Sequence, residues 1–269
     1  YRRNFDFIPQ AGKRHFLHFG ALNYECEVGL NGELIARHEG GYTPFDIEDI
    51  DFLKEGNNEL TVIVNNTRRR DAVPTVNSDW WNYGGITRSV ELLSIPDTYV
   101  RNYYVAMDKS APSSGTALIN AWVQLGGEDL ASRKVTLAIP ELDVEAQAVT
   151  DADGYAELSF KADPGRWSPE TPVLYDVIVS AAADKVSDRI GFRTVAVKGD
   201  KILLNGKQIF LRAVSTQALH ISKLHVTSGM IIRSVQRQIE VKLPTCSIKL
   251  VQASGTAVLR RFNRLPLTI

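Results

Sequence analysis

The sequence has few cysteines, no long apolar run and no excess of either charge. Its two cysteines, Cys26 and Cys246, are far apart, and neither has another Cys or a His nearby at metal-ligand spacing. Both a disulfide framework and a structural zinc site are therefore disfavoured. No apolar run reaches the roughly 18 residues of a membrane-spanning helix. Basic and acidic residues balance at 31 each, so bulk charge favours neither nucleic acid nor an anionic membrane as a partner. We expect no metal and no cofactor.

The N-terminus also lacks two features, an initiating Met and a secretory leader. The first residues, YRRNFDFI, already have the alternation of a β-strand. We therefore expect that upstream residues are missing from this chain. The sequence does not decide between a cytoplasmic and a periplasmic location.

Residues 1–98 are rich in short stretches that alternate between apolar and polar residues. Stretches such as RHFLHFG, YECEVGL and ELTVIVNN are separated by the turn signals NGE, EGGYTPF and KEGNN. No convincing 3.6-residue period appears. This pattern predicts an all-β domain built as an antiparallel sandwich.

Residues 99–198 continue in the same style, with about seven strand-like stretches in about 100 residues, the size and strand count of an immunoglobulin-like sandwich. Trp122 and Trp167 are expected in its core or at its edge. Residues 199–215 follow as strand, Asn-Gly turn and strand, which predicts a hairpin.

The composition changes abruptly after this hairpin. From Ala213 onward there are eight basic residues and a single acid, Glu240, against 23 basic and 30 acidic residues before it. Such a break marks a boundary. Residues 216–269 show no clear element, and we predict an irregular tail whose composition favours a shifted reading frame.

A series of motifs in a fixed order carries a family resemblance. YRR.F, NYECEV.LNGE, GGYTPF.I, DWWNYGGITRSV, W.PE.P.LY, GFRTV and ILLNGK.IFLR together resemble glycoside hydrolase family 2 over about residues 1–212. The resemblance implies a jelly-roll, galactose-binding-like domain over 1–98, truncated at its N-terminus, and an immunoglobulin-like domain over 99–198. It also implies that residues 199–215 lead into a (β/α)₈ barrel of the β-galactosidase or β-glucuronidase type.

The catalytic part of that family is not recognisable in this sequence. Only 57 residues follow Arg212, whereas a (β/α)₈ barrel needs about 250. Retaining glycosidases use two carboxylates, which the family takes from barrel strands, and Glu240 matches neither motif. We predict no catalytic residue here and no hydrolysis by this chain alone.

The stretch SDWWNYGGITRSV, residues 78–90, contains the candidate binding residues. The resemblance implies that Asp79 reaches the sugar pocket of a barrel, where a carboxylate can accept hydrogen bonds from vicinal hydroxyls. In an intact enzyme it would also help to hold a sodium ion. Trp80 and Asn82 are the other predicted substrate contacts, and the partner would be a β-glycoside.

The remaining side chains of this stretch are expected to have structural roles. Trp81 and Tyr83 should pack at the junction with a barrel, and Arg88 should form an internal ion pair. Two alternatives stay open for the whole chain: a non-catalytic carbohydrate-binding module, and an interaction or scaffold protein of two sandwiches that forms oligomers through this aromatic loop.

Overall fold

Short antiparallel strands make up nearly all of the regular structure, which confirms the all-β fold class. The structure is a computed structural model that describes residues 1–48, 50, 52–73, 75–78, 81–210 and 263–267. Among these residues the helical structure amounts to one 3₁₀ turn, Pro140–Leu142. The described residues divide into two compact units, residues 1–97 with 263–267, and residues 98–210.

The first unit consists of ten strands, in which the alternation seen in the sequence becomes an alternation of burial. In chain order the strands are β1 (Arg2–Phe7), β2 (Lys13–Phe19), β3 (Leu22–Asn23), β4 (Glu25–Leu30), β5 (Glu33–Glu39), β6 (Phe45–Ile47), β7 (Gly56–Asn65), β8 (Gly85–Ile86), β9 (Val90–Pro96) and β20 (Asn263–Leu267).

These strands form two four-stranded sheets, ordered β1-β7-β4-β5 and β20-β9-β2-β6, and a two-stranded ladder of β3 and β8. In β4 every second side chain is buried, and the same register continues across β7. Leu17, Phe19 and Val28 lie fully buried in the core of this unit. The β4–β5 hairpin turns at Asn31-Gly32, both with positive φ (53° and 91°), as the Asn-Gly signal predicted.

His15 is a partly buried polar side chain on β2. Its ring packs edge-on against Phe7 at 4.7 Å between centroids, and its Nδ1 lies 2.9 Å from the hydroxyl of Ser94. Burial lowers the pKa of His15, because desolvation disfavours the imidazolium. The folded state therefore favours the neutral ring.

The second unit is a sandwich of seven strands followed by a small third sheet. The strands are β10 (Thr98–Met107), β11 (Ala117–Gly127), β12 (Lys134–Ile139), β13 (Val144–Val149), β14 (Tyr155–Ala162), β15 (Tyr175–Ala181), β16 (Asp184–Ile190), β17 (Val195–Lys198), β18 (Lys201–Leu204) and β19 (Lys207–Ile209).

A three-stranded sheet, β10-β11-β14, and a four-stranded sheet, β13-β12-β15-β16, enclose the core of this unit, in which Ile119, Leu137 and Val177 are fully buried. Trp167 is also buried, and the guanidinium of Arg193 lies 5.0 Å from its ring centroid. Strands β17-β18-β19 form the third sheet, and β18 and β19 join at Asn205-Gly206, the predicted hairpin.

The predicted tail is mostly outside the described residues. Its one described segment is β20, whose backbone pairs antiparallel with β9. Within the described part of the chain, no helix has the length and apolar character that crossing a bilayer requires.

Candidate functional site

The candidate site is the segment that connects β7 to β8, which we call the aromatic loop (residues 66–84). Two of its predicted substrate contacts, Asp79 and Trp80, lie outside the described residues. The predicted sodium site beside Asp79 lies outside them for the same reason. Among the residues that the structure describes, no group of three or more His, Cys, Asp and Glu side chains is placed to hold a metal ion.

Asn82, the third predicted substrate contact, is held inside the loop by both ends of its side-chain amide. Its Oδ1 accepts a hydrogen bond from Asn23 at 2.9 Å, and its Nδ2 donates to the carbonyl of Asn66 at 2.7 Å. In turn, the Nδ2 of Asn66 donates a hydrogen bond to the carbonyl of Asn82 at 3.0 Å. These bonds join the two ends of the loop at Asn66 and Asn82, and the sugar contact of Asn82 stays a prediction.

The residue that organises this network, Asn23, is missing from the predicted site. It is buried, with 3% of its surface exposed. Besides its bond to Asn82, its Nδ2 donates to the carbonyl of Tyr83 at 2.5 Å. The β3–β8 ladder pairs Asn23 with Gly85 and so brings the amide beneath the loop. The only sequence signal is an Asn between apolar stretches in ALNYECEV.

The two described aromatic side chains of the loop, Trp81 and Tyr83, are exposed. Trp81 is 81% exposed and Tyr83 is 51% exposed. Arg88 donates a long hydrogen bond of 3.4 Å to the carbonyl of Tyr42, whose own side chain is 59% exposed. The packing of Trp81 and Tyr83 against a barrel and the ion pair of Arg88 therefore stay predictions. The loop thus offers exposed aromatic surface next to a network of side-chain amides, of which that of Asn23 is buried.

In the arginine run at 68–70, Arg68 and Arg69 make contacts within the protein. Arg68 donates to the carbonyl of Ser78 at 2.8 Å. Arg69 contacts the carboxylate of Glu25, lies 3.2 Å from that of Glu39, and is 3.6 Å from that of Asp71. The pairs of Arg69 connect the loop to the start of β4 and the end of β5.

The thiol of Cys26 is a further chemically reactive group among the described residues of this unit. It is buried in β4, and burial raises its pKa. A neutral, buried thiol is a poor nucleophile, so it offers no alternative catalytic centre.

Comparison with known proteins places the two units in one family. The model described as "Glycosyl hydrolases family 2, sugar binding domain" matches residues 1–96, and the model described as "Glycosyl hydrolases family 2" matches residues 98–193. The chain belongs to glycoside hydrolase family 2. This confirms the family resemblance of the sequence motifs.

The family 2 relatives that match are longer proteins. A β-galactosidase of Thermoanaerobacter pseudethanolicus is 30% identical over 231 residues, which are 80% of this chain and 31% of that protein. A putative β-glucuronidase of Formosa agariphila is 27% identical over 243 residues, 87% of this chain and 29% of that protein. The chain thus spans about a third of the length of these curated relatives.

A solved structure shares the fold. The β-glucuronidase of Bifidobacterium dentium, complexed with coumarin-3-O-glucuronide, superposes with a TM-score of 0.69 at 27% identity and covers 77% of this chain and 41% of its own.

Proposed function

We propose that this chain is the non-catalytic, sugar-facing part of a family 2 glycosidase of the β-galactosidase or β-glucuronidase type, and that it does not hydrolyse glycosides by itself. One observation carries the proposal. The two β-sandwich units coincide with the two matching family models, while the chain spans 31% of the β-galactosidase from T. pseudethanolicus.

The chemistry of the retaining reaction supports the absence of activity. Two carboxylates must flank the glycosidic bond about 5–5.5 Å apart, one as acid and one as nucleophile. The family resemblance implies that both come from the strands of a barrel. After Arg212 the sequence offers one carboxylate-bearing side chain, Glu240, in a stretch that matches neither motif. A shifted reading frame over 216–269 would account for this.

In the proposed role, the aromatic loop contributes one wall of the sugar pocket. Asp79 is the proposed contact to substrate hydroxyls and, in an intact enzyme, to sodium. Trp81 and Tyr83 are the proposed contacts to the catalytic domain, in keeping with their 81% and 51% exposure. The amide network of Asn23 and Asn82 would keep the loop in position before the sugar binds.

The source DNA tests the proposal for the tail. Translation of all three forward frames from the codon of Leu211 should reveal a frame with a His-Glu close after the first barrel strand, then an Asn-Glu pair and a second glutamate. If no frame contains them, the shifted-frame explanation is wrong.

A second candidate is a binding module, favoured by the description of the model that matches residues 1–96 as a sugar binding domain. It predicts saturable binding of galactose or glucuronate in calorimetry. This binding should be lost in Asp79→Asn and retained in Asp71→Asn, a control variant in the same loop. The scaffold alternative predicts instead no sugar affinity and a multimer by size exclusion that dissociates in Trp81→Ala.

A further inference from the structure

The outer face of the sheet β10-β11-β14 carries a lattice of side chains set by strand register. One row across the three strands is Asn102, Gln124 and Tyr155, the next is Tyr104, Trp122 and Glu157, and the third is Ala106, Asn120 and Ser159. All nine alternate with the core residues of the same strands. They therefore point away from the core.

Three aromatic rings form a near-parallel series in this lattice. The ring centroids of Tyr104 and Trp122 are 6.2 Å apart with 19° between their planes, and those of Trp122 and Tyr155 are 6.1 Å apart with 29° between their planes. All three side chains are partly exposed. We call these three residues the aromatic platform. The series of rings extends over two successive steps across this face of the sheet.

Ordered polar groups frame the platform. The hydroxyl of Tyr155 donates to Glu157 at 2.9 Å, that of Ser159 donates to Oδ1 of Asn120 at 3.0 Å, and the amide of Asn120 donates to Asp108 at 3.1 Å. Burial, together with the Glu157 carboxylate, raises the pKa of Tyr155, so its hydroxyl keeps its proton.

Gln124 completes this frame, because the carbonyls of Leu125 and Asp153 hold its Nε2 at 3.0 and 2.7 Å. Amides, a hydroxyl and a carboxylate are thus fixed around the rings.

We propose that the aromatic platform is a second carbohydrate site, which binds an extended, neutral, β-1,4-linked oligosaccharide. The apolar face of a pyranose can lie on an aromatic ring, and the amide and carboxylate groups at the edge match its hydroxyls as donors and acceptors. Equatorial β-1,4 links keep successive sugars in a flat ribbon that can follow two ring-to-ring steps. The carboxylates of Glu157 and Asp108 disfavour an acidic chain.

Cross-strand aromatic pairs also stabilise sheets without any ligand. Stabilisation of the sheet requires only the pair of Tyr104 and Trp122, and it does not explain the hydrogen-bonded polar groups around the three rings. Sugar binding therefore has to be measured directly, apart from stability.

The first experiment titrates the full chain carrying Trp80→Phe and Trp81→Phe, so that emission comes from Trp122 and the buried Trp167. We expect cellohexaose or β-1,4-galactohexaose to change the emission saturably, and a β-1,4-linked oligoglucuronate to bind more weakly. No saturable change with either neutral hexasaccharide would overturn the proposal, and so would tighter binding of the acidic one.

The second experiment measures the affinity of variants of the full chain by calorimetry. Trp122→Thr keeps a good strand former and should weaken binding by about tenfold or more. Leu118→Ala is the matched control, because Leu118 is 41% exposed on β11 outside the platform, and it should bind as wild type. Equal losses in both variants, or no loss in Trp122→Thr, would refute the assignment.

If Trp122→Thr does not fold by circular dichroism, Tyr104→Ala takes its place with the same expected loss. The platform does not depend on the function proposed for the aromatic loop. None of its residues lies in that loop, so the two proposals can fail separately.

Discussion

Asn23→Ala should destabilise the first unit far more than its single small side chain suggests. The variant removes the two bonds that Asn23 donates, 2.9 Å to Asn82 and 2.5 Å to the carbonyl of Tyr83. Each such bond contributes about 1 kcal/mol net, so we expect a loss of about 2 kcal/mol. For a unit of this size that lowers Tm by roughly 8–16 °C.

The measurement is differential scanning calorimetry of the wild type and two variants. Asn57→Ala is the matched control, since Asn57 is exposed on β7 of the same unit, and its effect should stay within about 0.5 kcal/mol. If Asn23→Ala melts within roughly 2–4 °C of Asn57→Ala, the amide network does not hold the loop as described.

Three further perturbations test other parts of the account. Burial lowers the pKa of His15 in the folded state, so its contribution to stability is present above the ordinary histidine pKa of about 6.5 and is lost as the pH falls below it. In urea titrations, the free energy of unfolding of His15→Gln should therefore decrease less with falling pH than that of the wild type. Equal decreases in the two proteins would contradict this. Gly20→Ala adds a Cβ that lies 2.8 Å from the Cβ of Arg88 and 3.3 Å from the carbonyl oxygen of Ser89, whereas the Cβ of Gly29→Ala has no neighbour closer than 3.4 Å. Gly20→Ala should therefore cost about 1 kcal/mol more than Gly29→Ala in the same unit, and equal costs would rule out the clash. Arg166 makes four hydrogen bonds to three loop carbonyls at 2.6–3.3 Å. Because lysine cannot reproduce the guanidinium geometry, Arg166→Lys should lower the free energy of unfolding of the second unit by about 2 kcal/mol in calorimetry. An unchanged Tm would mean that these bonds contribute nothing to stability.

Local rules predicted the all-β fold, because alternation and turn chemistry act over a few residues. The period-2 pattern of ELTVIVNN became the alternating burial of β7. The Asn31-Gly32 and Asn205-Gly206 turns took the positive φ values that their residue types favour. These features need no knowledge of the rest of the chain.

The site could be predicted only in part, since it depends on pairing between distant residues. Asn23 and Asn82 meet because β3 pairs with β8, about 60 positions away. The aromatic platform could not be predicted from the sequence for the same reason. Trp122 was expected in the core or at the edge of the sandwich, and only the register of β10, β11 and β14 shows which residues share its face.

The most direct test of the central claim is a steady-state assay of the purified 269-residue chain with 4-nitrophenyl β-galactoside and 4-nitrophenyl β-glucuronide. We expect no release of nitrophenol above the buffer blank with either substrate, since the chain offers no recognisable pair of catalytic carboxylates. Saturable turnover that co-purifies with the chain would contradict this, and its loss in Glu240→Gln would show that the activity belongs to the chain and not to a contaminant.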